Sequence, residues 1–203
     1  MIVAINLQKG QRINLEKDNG SKLNDICIGV NWGAIEKKGF FGGSKKEAVD
    51  LDASVAVFDA QKKLISLVYF GELTAPGIRH SGDDRTGDVD GDDGLDNEVI
   101  QVKLSELPKT AEQVVVVLNS YKGHDFKVIP FASIRLYEGT PSRVDSEFAR
   151  YDLANDATFH GSKGMILGKF YLKGGEWKFA TIGAPVSEHR LEALVQRVVA
   201  EQL

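Results

Sequence analysis

Hydrophobic and polar positions alternate along most of this chain, the period of a β-strand with one buried face. The clearest run covers residues 49–58. There Val49, Leu51, Ala53, Val55 and Val57 share one face, and Asp50, Asp52, Ser54 and Ala56 share the other. Residues 25–32, 64–70 and 99–104 repeat the pattern, and residues 2–7 and 12–15 show it weakly. Residues 114–118 read VVVVL, the continuous apolar run expected of a strand buried on both faces. Residues 128–137 and 147–153 predict further strands. Residues 169–172 and 177–180 flank Lys173-Gly174-Gly175-Glu176. A Gly-Gly pair between such segments predicts a hairpin, because primed turns need positive φ. Residues 33–46, with Gly39, Gly42 and Gly43 among lysines, read as a loop or hairpin tip.

Only the end of the chain has a helical period. Leu191, Leu194, Val195, Val198 and Val199 fall at i, i+3, i+4, i+7 and i+8, with Ser187 as the expected cap. Roughly ten strands at this spacing predict an all-β chain, a mainly antiparallel two-sheet β-sandwich. A C-terminal α-helix within residues 187–203 packs on it. No repeat or linker divides residues 1–203, so a single domain is expected.

Composition narrows the function classes. The chain has 203 residues, 42% hydrophobic and 27% charged, enough for a substantial core. No apolar run approaches the length of a membrane span, and the start lacks a signal-peptide pattern. The single cysteine, Cys27, sits in an apolar run and reads as a buried small hydrophobe, so a reducing cytoplasm is expected. A net charge of −4 with no basic cluster excludes an obvious nucleic-acid interface.

The charge is unevenly placed. Residues 83–98 read DDRTGDVDGDDGLDNE, with eight carboxylates and one arginine, a local −7 against +3 for the rest of the chain. Glycines at 82, 87, 91 and 94 remove any helix or strand period, so this is a loop. Hard cations such as calcium take six to eight oxygens at roughly 2.3–2.6 Å, and this loop supplies that chemistry. Thr86 and Asn97 add neutral oxygens. An EF-hand does not fit: from Asp88 the sixth position is Asp93 and the twelfth Val99, where glycine and glutamate are required. Asp50 and Asp52, two apart on a predicted strand, point to one face about 6–7 Å apart and can close a cage under the loop.

Several motifs together resemble the TerD family of tellurium-resistance and stress proteins. They are Asp50-Leu51-Asp52-Ala53-Ser54, Ser81-Gly82-Asp83-Asp84-Arg85-Thr86-Gly87, Asp90-Gly91-Asp92-Asp93, Arg150-Tyr151-Asp152-Leu153, and Gly175-Glu176-Trp177-Lys178-Phe179 with Ile182-Gly183. The opening, Leu7 with Lys9-Gly10 and Leu15, agrees. The resemblance implies a β-sandwich that binds calcium at its acidic loops, a cytoplasmic stress role and no established catalysis. The candidate ligands are Asp50, Asp52, Asp83, Asp84, Thr86, Asp88, Asp90, Asp92, Asp93 and Glu98, more than one ion needs, so two calcium ions are expected. Other stress or tellurium-resistance proteins, or a membrane-associated complex, are the expected partners.

The main rival is a magnesium-dependent phosphatase. Asp50-x-Asp52 and Gly91-Asp92-x-x-x-Asp96 resemble the nucleophile and magnesium motifs of haloacid-dehalogenase-type enzymes. That chemistry needs a parallel strand opening into a crossover helix, and no helical period lies between the two motifs. His80, His124, His160 and His189 form no zinc spacing, and His80 reads as a surface turn residue. Trp32 and Trp177 read as core residues.

Overall fold

The computed structural model describes residues 5–6, 10–13, 15–16, 20–38 and 43–203. The expected positions Leu7 and Lys9 and the glycines Gly39 and Gly42 lie outside them. The strands run β1 (Ile5–Asn6), β2 (Arg12–Ile13), β3 (Asp25–Trp32), β4 (Ile35–Lys38), β5 (Ser44–Glu47) and β6 (Leu51–Phe58). They continue with β7 (Leu64–Val68), β8 (Thr74–Ala75), β9 (Ile78–His80), β10 (Glu98–Lys103) and β11 (Gln113–Ser120). Last come β12 (Ala132–Thr140), β13 (Arg143–Asp152), β14 (Gly164–Lys173), β15 (Glu176–Val186) and the helix α1 (Leu191–Glu201).

Two sheets carry the fold. One has the order β1-β13-β12-β3-β10-β9-β8, the other β2-β15-β14-β11-β6-β7. The pairings are antiparallel except β1 with β13. The expected two-sheet sandwich with a terminal helix is therefore what the chain forms. The parallel sheet that the phosphatase reading required is not.

Alternation explains which faces meet. On β6, Leu51, Ala53, Val55 and Val57 enter the main core between the sheets. On β11, Val114, Val116 and Leu118 join them, while Val115 and Val117 point the other way. That outer face is covered by α1, whose Leu194 and Val198 are fully buried against Ala56, Phe58 and Ile166. This is why residues 114–118 are apolar without interruption. Each such buried aliphatic side chain contributes about 1.5–3 kcal/mol by its removal from water.

Several expected boundaries move. Val49 and Asp50 precede β6 instead of beginning it. Residues 126–128 form a 3-10 turn capped by the Asp125 carboxylate, and β12 starts only at Ala132, after Pro130, which has no N–H for a ladder. β13 begins at Arg143, so the hairpin is tighter and longer than expected. Ser187 does not cap α1. Arg190 holds the cap position without a side-chain bond, and the Ser187 hydroxyl donates to Glu188 instead. The lysine-rich segment pairs as β4 and β5, with its tip outside the described residues. Trp32 is buried in the core, and Trp177 packs partly buried against it.

Candidate metal centre

The acidic loop is docked on the end of β3. The Asp88 N–H donates to Trp32 O (2.9 Å), and Ala34 N–H donates to Asp88 O (3.3 Å). Asn97 ties the loop to itself: its amide nitrogen donates to Asp88 Oδ1 (2.8 Å) and Asp84 Oδ2 (3.3 Å). Its carbonyl oxygen accepts the Trp32 N–H (2.8 Å), so the neutral oxygen expected to face a cation is already engaged. The Trp32 indole N–H donates to Val49 O (2.9 Å). Gly87 sits against that indole with φ +66°, and a Cβ there would lie 2.5 Å from the ring. Only glycine suits both demands.

Asp50, Asp52 and Asp83 come together. One carboxylate oxygen from each lies within 4.8 Å of the others. Asp50 is 3% and Asp52 2% exposed, while Asp83 closes the group from the solvent side. Asp50 Oδ1 is buried with no hydrogen-bond partner, and Oδ2 has only Lys122 Nζ at 3.9 Å. Asp52 Oδ2 accepts from Asn119 Nδ2 (2.9 Å). Burial, followed by the charges of Glu98, Asp50 and Asp83, pushes the Asp52 carboxyl up to about 8. Asp50 is raised too, chiefly by burial. Lys122 and Arg85 offset only part of this, since both carboxyls stay raised. A cation fits: it supplies the missing partner for Asp50 Oδ1 and offsets the mutual repulsion.

A second group joins Asp88, Asp92 and Asp93, again within 4.8 Å. Asn31 Nδ2 donates to Asp92 Oδ1 (2.9 Å), and the buried Asn31 Oδ1 has no partner. Burial raises the Asp88 carboxyl, against a lowering bond from Asn97.

The remaining candidates lie outside both groups. Asp84 Oδ1 accepts from the Thr86 N–H and hydroxyl (both 2.9 Å) and from Gly87 N–H (3.0 Å). Burial raises Asp84, but these bonds outweigh it and hold it below the usual carboxylate range. Thr86 is thereby turned to the loop. Asp90 is exposed. Glu98 is fully buried: Oε2 accepts the Ala53 N–H (2.9 Å) and Oε1 the Asp84 N–H (3.3 Å). Asp96, the second magnesium ligand of the phosphatase reading, is held by Arg135 Nε at 2.8 and 3.0 Å, away from Asp50 and Asp52. That constellation is not assembled.

His80 is not a surface turn residue. It ends β9, is 3% exposed, and lies with Nε2 3.3 Å from Ala53 O and 3.4 Å from Glu98 Oε2. Gly82 N–H donates to Nδ1, which places the ring proton on Nε2. Ile78 and His80 share the buried face of β9, an alternation that was readable in the sequence. Asn31 and Asn119 had no such signal. Their roles arise from neighbours 61 and 67 positions away.

Comparison with known proteins identifies the family and the fold. The chain is 34% identical to a stress response protein of Bacillus subtilis (strain 168), over 97% of this chain and 100% of that one. It is 33% identical to the tellurium resistance protein TerZ of Serratia marcescens, over 88% and 89%. Its fold matches the crystal structure of a TerD homologue from Streptomyces coelicolor A3(2), with TM-score 0.63 at 15% identity, over 83% of this chain and 94% of that one. The TerD domain itself matches residues 3–197, and the chain belongs to the TerD family.

Proposed function

We propose that the protein binds calcium and acts in the cytoplasm as a calcium-dependent sensor or scaffold of the stress and tellurium responses, not as a catalyst. The observation that carries this reading is the group of Asp50, Asp52 and Asp83, two of them nearly buried, with Asp50 Oδ1 unpartnered. Asp50 and Asp52 belong to the β6 region, Asp83 to the loop after β9. A cation held by all three would join the loop to the second sheet. Asp88, Asp92 and Asp93 would hold a second ion within the loop. Calcium suits a crowded, flexible oxygen site, whereas magnesium demands a tight octahedron and keeps its waters.

Tellurite itself is a poor ligand for the metal-free loop, since an anion is repelled by uncompensated carboxylates. The thiol of Cys27 is pushed up to about 11, mainly by burial, so it stays protonated and is no soft ligand at neutral pH. Resistance would then arise indirectly, through partners such as other stress proteins or a membrane-associated complex. Calorimetry on chelator-treated protein tests the reading. Calcium is expected to bind at two equivalents and more tightly than magnesium. Equal affinities, or saturation at one equivalent, would overturn the corresponding part.

A further inference from the structure

Asn31 lies in the middle of the first sheet, on β3 between Val30 and Trp32, and pairs with Ser133 on β12. Val30 and Trp32 enter the core, so strand alternation turns Asn31 to the outer face, where the acidic loop is docked. It is only 8% exposed, and its amide reaches the second acidic group: Nδ2 donates to Asp92 Oδ1 (2.9 Å). The other end of the amide, Oδ1, is buried with no hydrogen-bond partner. Buried amides are seldom left half-satisfied. Here the satisfied end is the one that faces the carboxylates.

That bond is not what orients the group. Asp92 Oδ1 also accepts the Gly94 N–H (2.8 Å), and Asp93 Oδ1 accepts the Leu95 N–H (2.9 Å). Asp88 is held by Asn97 Nδ2 (2.8 Å) and the Asp93 N–H (3.4 Å). Each carboxylate therefore keeps a donor from the loop whichever way Asn31 turns. The two ends of an amide have nearly the same size and shape, and a half-turn of the side chain exchanges them. Oδ1 would then stand where Nδ2 is now, beside Asp92. The exchange gives up the bond to Asp92 and breaks none on the far side, where Oδ1 has none. Two oxygens at that separation repel each other unless a cation lies between them.

We propose that Asn31 is a ligand of the second ion, through Oδ1 after this half-turn, an inference that rests on the cation reading of Asp88, Asp92 and Asp93 above. Three carboxylates and one amide oxygen form a donor set that suits calcium. The amide adds an oxygen without adding to the repulsion among the carboxylates. It also gives the loop a second attachment. Asp52 lies on β6 of the second sheet, and Asn31 on β3 of the first, so two ions would hold the loop to both sheets.

The test is calcium calorimetry on the chelator-treated parent, Asn31→Leu and Asn31→Asp, with far-ultraviolet circular dichroism to check folding. Leucine keeps the volume but has no oxygen, so one of the two calcium steps should weaken roughly tenfold while the other is unchanged. Aspartate cannot donate to Asp92 but offers an oxygen to a cation, so Asn31→Asp should keep both steps. In chelator its melting temperature should fall, because a fourth carboxylate joins the group, and the rise on adding calcium should grow. If Asn31 served only to donate to Asp92, aspartate would fail as leucine does, so loss of a step in both variants overturns the proposal. Unchanged calcium binding in Asn31→Leu does the same. Should the leucine variant not fold, Asn31→Asp decides alone: a retained second step supports the ligand and a lost one overturns it. A parent that takes up no second ion overturns the second group and its ligand together, whereas two ions in the parent and in Asn31→Leu alike overturn the ligand only.

Discussion

The side chains of His80 and Glu98 face each other at 3.4 Å, both fully buried, on neighbouring strands of one sheet and aimed at a strand of the other. Their common target is Ala53, whose N–H donates to Glu98 and whose carbonyl accepts from His80. β7 pairs with β6 only from Val55 onward, so the edge at Ala53 has no strand partner. His80 and Glu98 replace it and join the two sheets next to Asp52.

Glu98→Ala should therefore be a stability mutation first. It leaves the Ala53 and Asp84 N–H groups without their acceptor and removes the carboxylate beside the His80 ring, at a cost of about 3 kcal/mol. Urea unfolding measures this. Glu98→Gln, which keeps an acceptor, should cost less and retain two calcium equivalents. Loss of one equivalent in Glu98→Gln would instead make Glu98 a ligand.

Asp52→Asn removes one charge from the buried group while keeping its size. It should weaken calcium binding and shrink the calcium-induced rise in melting temperature. Binding to the folded form alone stabilises by about 2.7 kcal/mol at a hundredfold excess over Kd. Asp145→Asn is the control. Asp145 lies on β13, half-exposed and paired with Arg143, far from either acidic group in sequence and contacts. Unchanged calcium binding in Asp52→Asn would sink the role assigned to it.

The pH dependence has a definite sign. The Asp52 carboxyl titrates near 8 in the folded metal-free protein and near 3.8 when unfolded. The folded state thus binds more protons between these values, and stability falls as pH rises through them. Protons and calcium compete for the same oxygen atoms, so calcium affinity should increase from about pH 6 to pH 8. The two trends are read by melting curves in chelator and by titrations at each pH. A flat affinity profile would show that Asp52 is not a ligand.

Gly87→Ala should destabilise by about 1–3 kcal/mol, because the new methyl meets the Trp32 ring and the positive φ is strained. Gly91→Ala, also at positive φ but with open space around it, isolates the backbone part of that cost. Melting temperatures of the two variants should differ, with Gly87→Ala the lower.

The sheets, the doubly buried β11 and the amphipathic face of α1 were legible in the sequence, because the side-chain periods of strand and helix are local. So was the place of the carboxylate clusters, since the charge of residues 83–98 and the spacing of Asp50 and Asp52 need no knowledge of contacts. Composition could not say which of the ten candidate ligands converge. Asp50, Asp52 and Asp83 meet because the end of β9 delivers the loop over the start of β6. Asp84 turns inward to Thr86 and Gly87, and Glu98 to Ala53 and His80. Asn119 reaches Asp52 because β11 and β6 pair in a register that sets them opposite. Register and sheet order are decided by how the two hydrophobic faces pack together. That packing is a property of the whole chain, so identical aspartates at similar spacing became members of a carboxylate cluster, turn caps or ion-pair partners only once it was complete.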